Sequence, residues 1–228
     1  MIAGLEAFDR LLKQNREWAA AVENERPGFF TALSEQQKPK YMWIGCSDSR
    51  VPANQITGLQ SGEIFVHRNV ANLVVHSDLN ALSAVQFAVE RLGVEHLLVV
   101  GHHGCSGVQA ALEGTRVGLA DHWIRHVRDV RARHAEALGN LPQNAQAKGL
   151  VELNVIEQVV NICSSTVLMD AWQAGQKIHV HGCVYSLRDG LLRDLGISIN
   201  TESGWGKIYD SAVERVFERH AEETYSTV

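Results

Sequence analysis

The chain has 228 residues, 45% of them hydrophobic, and a formal net charge of −5. That is enough apolar material for one core, and one domain is the expectation at this length. The acidic balance and the lack of any Lys/Arg run argue against nucleic acid as a partner. No apolar stretch reaches the roughly 20 residues of a membrane helix, and four cysteines are too few for a disulfide scaffold.

The opening MIAGLEAFDRLLKQNREW has no basic leader and is broken by charges every few positions. It reads as a helix over the first 25 residues rather than a signal peptide, and the chain is expected to be cytoplasmic. Leu5, Phe8, Leu11, Leu12 and Trp18 lie on one side of that helix. Residues 1–35 are thus expected to form an arm that packs on its own domain or on a partner subunit.

Four β-type runs follow: YMWIGC (41–46), EIFVHRN (63–69), HLLVVGH (96–102) and KIHVHGCVY (177–185). The first and third are almost continuously apolar, as strands covered on both faces should be. Between them, 78–93 repeats apolar residues at helical spacing, with Ser77 or Asp78 as N-cap and Gly93 as stop. Further on, 119–137 reads as an amphipathic helix, 138–146 as a loop, 148–174 as a long helix ended by Gly175, and the last 25 residues as helix. Helix and strand in alternation argue for βαβ units. The expected fold is α/β: one domain over 1–228, with a mostly parallel central sheet of about four strands flanked by helices.

The chemistry sits where strands should stop. In WIGCSDSRVP (43–52) a thiol, a carboxylate and a guanidinium alternate as Cys46, Asp48 and Arg50. In GHHGCSG (101–107) His102 and Cys105 lie three apart among glycines. Open α/β sheets bind ligands outside the carboxyl ends of their strands, so Cys46, Asp48, His102 and Cys105 can converge there. Two thiolates, an imidazole and a carboxylate suit tetrahedral Zn²⁺. Taken singly, each would be a core cysteine or a turn histidine; the pairing on two strand ends favours a metal. Paired C-x₂-C motifs of zinc ribbons are absent.

CSDSRVP, FVHRNVAN and GHHGC together resemble the β-class carbonic anhydrases, over essentially the whole chain, and in particular their bicarbonate-regulated type II bacterial members. The resemblance implies reversible hydration of CO₂ to bicarbonate and a proton by a zinc-bound hydroxide. One zinc per chain would be held by Cys46, His102 and Cys105, with Asp48 as a fourth ligand in a closed state only. Arg50 would otherwise hold the Asp48 carboxylate off the metal, leaving it to orient a water and help pass on its proton. Two thiolates should make the optimum somewhat alkaline. Phe65, Val70, Phe87 and Gly107 are implied as the CO₂ pocket, with Gln37 reaching in from its own chain or from a neighbouring subunit; by residue type alone the apolar ones would be core. Trp43, Arg68 and Tyr185, with Gly45 and Val51, match a second pocket in which bicarbonate favours the closed state; the alternative is that Trp43 and Tyr185 are core aromatics. A homodimer or homotetramer is implied.

Two positions depart from the pattern. Ser106 stands where a glycine is usual; it would be strained if its φ were positive, and the expectation is that the serine is tolerated. Cys183 stands where tryptophan is common. His179, His181, Cys183 and Tyr185 alternate on one strand and offer a competing metal set, although alternating positions on a buried strand are expected first to pack. His103 is read as a proton shuttle or a solvent-exposed bystander, Cys163 as an inert core thiol, and His122, His126 and His134 as solvated surface. Two other functions stay open: a zinc hydrolase of carbonyl sulfide or carbon disulfide on this scaffold, and a structural or redox zinc module. GHHGCSG fits no phosphate-binding loop.

Overall fold

The computed structural model describes residues 2–35 and 37–221, in two units, Met1–Gln37 and Lys38–Val228. The side chain of Leu5 and the final stretch 222–228 lie outside what it describes. In the first unit, α1 (Ile2–Glu25) and α2 (Phe29–Glu35) meet at Gly28, whose φ of 81° reverses the chain. The Gly28 N–H donates to Glu23 Oε1 at 2.6 Å, and Trp18 meets Phe30 edge to face. Phe8, Leu11 and Leu12 stay exposed along α1.

The second unit runs β1 (Tyr41–Cys46), α3 (Ala53–Thr57), β2 (Ile64–Asn69), α4 (Leu79–Gln86), β3 (His96–His102), α5 (Ser106–Glu113) and α6 (Ala120–Arg133). It continues with α7 (Ala135–Gly139), α8 (Gln143–Cys163), α9 (Thr166–Gln173), β4 (His179–Tyr185), β5 (Leu192–Ile199) and α10 (Gly206–Ala221). The sheet order is β2-β1-β3-β4-β5. The first four strands are parallel, and β5 returns antiparallel to β4.

The sheet therefore has five strands where about four were expected. The missed strand is interrupted by Gly196 at φ 72°, so its alternation is weak in sequence. The helix expected over 148–174 is two, because Ser165 leaves the helix and caps α9 through its hydroxyl. Likewise α6 and α7 part at His134. The loop expected over 138–146 shrinks to three residues, since α8 already begins after Pro142. The expected helix over 78–93 is continuous, but its final turn, Phe87–Leu92, widens to π geometry before Gly93 stops it.

Met42, Ile44 and Cys46 point into the main core, and Trp43 into a smaller cluster on the opposite sheet face. Helix α8 lies against the sheet on the core side. A Cβ on Gly101 would come within 2.6 Å of Val155 Cγ2, and one on Gly182 within 3.2 Å of Val155 Cγ1. β3 thus approaches α8 at Gly101 more closely than a side chain permits, and β4 packs tightly beside it at Gly182. That contact places the carboxyl ends of β1 and β3, paired side by side through Gly45 and Val100, at one edge.

Candidate metal centre

Cys46 is the last residue of β1 and His102 the last of β3. Cys105 follows a turn through His103 and Gly104, the latter at φ 77°, and precedes the first turn of α5. All three side chains are buried, and their donor atoms lie within 4.8 Å of one another. The two sulfurs stand 3.8 Å apart. Tetrahedral coordination with Zn–S bonds of ~2.3 Å puts two sulfurs ~3.8 Å apart. His102 Nδ1 faces the His103 carbonyl at 3.3 Å and is assigned as the donor to it. Nε2, buried and without a partner among the described residues, is then left with its lone pair free. A buried imidazole nitrogen with no partner is costly, and beside two sulfurs it has the chemistry of a metal ligand. The residues present fit Zn²⁺.

The electrostatics agree. The hydrogen bond between the two thiols lowers Cys46 to about 4, against burial, and raises Cys105, which burial pushes up further. The bond thus favours the thiolate at Cys46, and a divalent cation bound there would displace thiol protons. The Ala71 N–H also donates to Cys46 Sγ at 3.4 Å. Ala71 sits at φ 66° and Asn72 at φ 48°, a left-handed pair in which a non-glycine residue is costly. Two amides hold the turn: Asn154 Nδ2 donates to the Ala71 carbonyl at 2.9 Å, and Asn69 bridges both backbone groups of Leu73 at 2.7 Å. The sequence reading missed this support. Its only signal was an apolar helix, LVELNVIEQVV, carrying buried polar residues with no surface to face.

Asp48 is held beside the three donors without joining them. Arg50 grips both carboxylate oxygens, Nε to Oδ1 at 2.9 Å and Nη2 to Oδ2 at 2.6 Å, and its own N–H adds a third bond to Oδ1. Those bonds hold the Asp48 carboxyl well below the usual carboxylate range. Oδ2 remains 3.7 Å from His102 Nε2. Arg68 braces the same segment, donating to the Cys46 carbonyl at 2.9 Å and to the Asp48 carbonyl at 2.5 Å.

Of the four apolar-pocket positions, the structure pairs two and two. Phe65 and Phe87 stack with centroids 6.0 Å apart. Val70 abuts Gly107, where a Cβ would sit 2.8 Å from Val70 Cγ1. Val70 is 39% and Phe87 46% exposed, so neither is the core residue its type suggests. Gln37 ends the first unit and is exposed. On the opposite sheet face, Trp43, Val51 and Tyr185 share one cluster, and Arg68 lies in register with Gly45. The Trp43 indole is fully buried, its Nε1 has no partner among the described residues, and it rests where a Cβ on Gly45 would be, 2.1 Å away.

Several readings are corrected. Ser106, by contrast, is tolerated as expected: it opens α5 and is not among the left-handed residues. His181 bonds Ser198 Oγ at 2.8 Å and His96 Nδ1 at 3.1 Å and stacks with His179; Cys183 turns into the Trp43 cluster. Among the described residues these three form no common metal group. His103 is no bystander: its Nε2 meets Glu152 Oε1 at 2.9 Å. His134 is no free surface residue either, since it bonds the buried Glu157 at 3.2 Å. Cys163, pushed up to about 12 by burial, is inert at neutral pH. Among the described residues, no helix is long and apolar enough to cross a membrane.

Comparison with known proteins points the same way. A family model described as carbonic anhydrase matches residues 41–192. A carbonic anhydrase of Emericella nidulans is 44% identical over 193 residues, which is 84% of this chain and 85% of that protein. The crystal structures of two tetrameric β-carbonic anhydrases from Sordaria macrospora include a chain that superposes with a TM-score of 0.80 at 34% identity, over 85% of this chain and 99% of that one. The Coccomyxa β-carbonic anhydrase in complex with acetazolamide does so at 0.82 and 35%, over 96% and 98%. In sequence and in architecture, this chain belongs to the carbonic anhydrase family, in its β class.

Proposed function

We propose that the chain hydrates CO₂ reversibly to bicarbonate and a proton at a zinc ion held by Cys46, His102 and Cys105. The observation that carries this reading is the donor set itself: two sulfurs at tetrahedral spacing and an orphaned imidazole nitrogen beside a carboxylate. Zinc in such a setting lowers the pKa of water from 15.7 toward about 7, making hydroxide available near neutral pH. Asp48, kept ionised by Arg50, accepts a hydrogen bond from the attacking water and orients it toward CO₂. Arg50 fixes the direction of that carboxylate, and the Arg50 Nη2 contact to the Gly104 carbonyl at 3.4 Å ties it to the ligand loop. Val70, Phe65, Phe87 and Gly107 supply an apolar wall suited to a nonpolar gas. Stopped-flow CO₂ hydration by the zinc-loaded protein tests this directly. Sulfide release from carbonyl sulfide without CO₂ turnover would favour the hydrolase reading, and no turnover at all a structural or redox module.

Bicarbonate inhibition belongs to the same proposal. The unpartnered Trp43 indole N–H is a donor awaiting an acceptor, with Tyr185 and Arg68 on the same sheet face. An anion there would compete for Arg68, which otherwise braces the Cys46 and Asp48 carbonyls. Withdrawing that brace would free Asp48 to become the fourth ligand. The anion must therefore bind the closed state more tightly than the open one. Trp43→Phe and Tyr185→Phe should relieve inhibition at unchanged zinc content; inhibition identical to wild type would refute it.

A homodimer or homotetramer is part of this reading, supported by the exposed Phe8, Leu11 and Leu12 on α1 and by the tetrameric Sordaria relatives. Light scattering tests it. Four free, buried cysteines suit a cytoplasmic setting.

A further inference from the structure

Core packing does not explain Glu152. It sits within α8, fully buried, beside Val151 and Val155, the two residues that meet Gly101 of β3. A buried carboxylate is costly unless its oxygens are engaged. Glu152 Oε1 lies 2.9 Å from His103 Nε2 and 3.1 Å from His220 Nε2, and Oε2 takes the Arg219 guanidinium. His220 and Arg219 belong to α10, and the His103 and His220 rings meet edge to face at 6.3 Å.

His103 is the partner that leads to the metal centre, because it follows His102 directly and precedes Cys105 by two residues. Its carbonyl faces His102 Nδ1 at 3.3 Å, and its N–H donates to the Tyr185 carbonyl at 3.0 Å. A ligand imidazole needs its second nitrogen occupied, since that bond fixes the ring and decides which nitrogen offers a lone pair. Here the acceptor is a backbone carbonyl in a short turn, followed by Gly104 at φ 77°. Glycine restrains its backbone little, so the turn must be held by its contacts. β4 holds it at the His103 N–H, Arg50 at the Gly104 carbonyl, and Glu152 at the His103 ring. The last bond is the shortest and is made to a buried charge.

We propose that Glu152 is a positioning residue for the metal centre: through His103 it fixes the carbonyl that orients His102, and with it the turn that delivers Cys105. The inference rests on the zinc reading above. The contact with His220 ties α8 to α10 instead. His103, Glu152 and His220 also bring their donor atoms within 4.8 Å of one another, as a metal site would. Arg219 on the same carboxylate opposes a cation there, and metal stoichiometry separates the two readings.

The test compares Glu152→Gln, His103→Phe and His220→Phe in the full chain, each at a temperature where circular dichroism shows it folded. Zinc affinity is read by chelator competition, and ligand geometry from the absorption spectrum of the Co²⁺-loaded chain. The wild type should bind one ion per chain. Glu152→Gln and His103→Phe should each weaken zinc binding by about tenfold to a hundredfold, as loss of a partner behind a ligand does, and should shift the cobalt bands alike. The double variant should bind no more weakly than the weaker single one, because both changes break the same bond. His103→Gln returns an N–H at the reach of Nε2 and should recover most of the affinity. His220→Phe removes the other contact to the same oxygen and should lower Tm with affinity and spectrum unchanged. Equal losses of affinity in His220→Phe, additive losses in the double variant, no recovery in His103→Gln, or wild-type affinity and spectrum in Glu152→Gln would overturn the proposal and leave the zinc reading standing. A second ion per chain, lost in His220→Phe, would overturn it in favour of a metal site at these three groups. A wild type that binds no ion would remove the zinc reading and this inference with it.

Discussion

Gly101→Ala probes the packing that places the metal ligands. The new Cβ would lie 2.6 Å from Val155 Cγ2 and 3.1 Å from Val151 Cγ1, both on α8 and both buried. Carbon atoms in contact prefer about 3.5–4.0 Å, so close to 1 Å must be found by moving the strand or the helix. Overpacking of this kind costs about 1–3 kcal/mol. For a chain of this size that is a fall in Tm of about 2–4 °C per kcal/mol. Gly101 is bonded directly to His102, so the shift is passed to the imidazole. Zinc sites tolerate only about 0.2 Å in their ligand distances. Thermal unfolding of the zinc-loaded variant, with a chelator competition for zinc affinity, should therefore show both losses together. Val155→Ala removes the clashing methyl, so the double variant should be more stable than the two single effects summed. Wild-type Tm and zinc affinity in Gly101→Ala, or strict additivity in the pair, would refute the reasoning.

Arg50→Leu should leave zinc content unchanged while lowering kcat/KM for CO₂ by at least about tenfold, as loss of a group orienting an active-site carboxylate does; full activity would remove Arg50 from the mechanism. Cys105→Ser should reduce zinc to well below one per chain, measured by metal analysis. Glu152→Gln should flatten acid stability. Burial opposes the charge of Glu152, but bonds from His103 and His220 outweigh it and lower the carboxyl from 4.5 to about 2. A depressed carboxyl adds stability that is complete above its unfolded pKa and is lost as pH falls through the folded one. The wild type should thus lose about 3 kcal/mol between pH 4.5 and 2 that the variant lacks, read from urea unfolding across that window. Ala71→Val should destabilise the chain, since a β-branched residue at φ 66° is strained, and weaken zinc binding through the lost N–H contact to Cys46.

The donor cluster was readable in sequence because its parts are local: Cys46 with Asp48 and Arg50, and His102 with Cys105, each lie within one strand end. That these two ends meet follows from parallel neighbours in an open sheet, a rule of topology rather than of residue type. The parallel strands were visible as apolar runs, whereas β5 was hidden by Gly196 and by polar residues on its exposed face. Helix breaks at Ser164 and His134 escaped notice because apolar periodicity continues across them. The left-handed Ala71 carries no local signal, as its conformation is imposed by Asn154, 83 residues away. The roles of His103 and His134 were hidden for the same reason: each is satisfied by a partner remote in sequence, Glu152 and Glu157 respectively.

X-ray absorption at the zinc edge of the purified chain, paired with metal stoichiometry, tests the central claim most directly. The account predicts one zinc per chain with two sulfur neighbours at about 2.3 Å and two nitrogen or oxygen neighbours at about 2.0–2.1 Å. A first shell without sulfur, or a metal-free preparation that hydrates CO₂ at full rate, would contradict it.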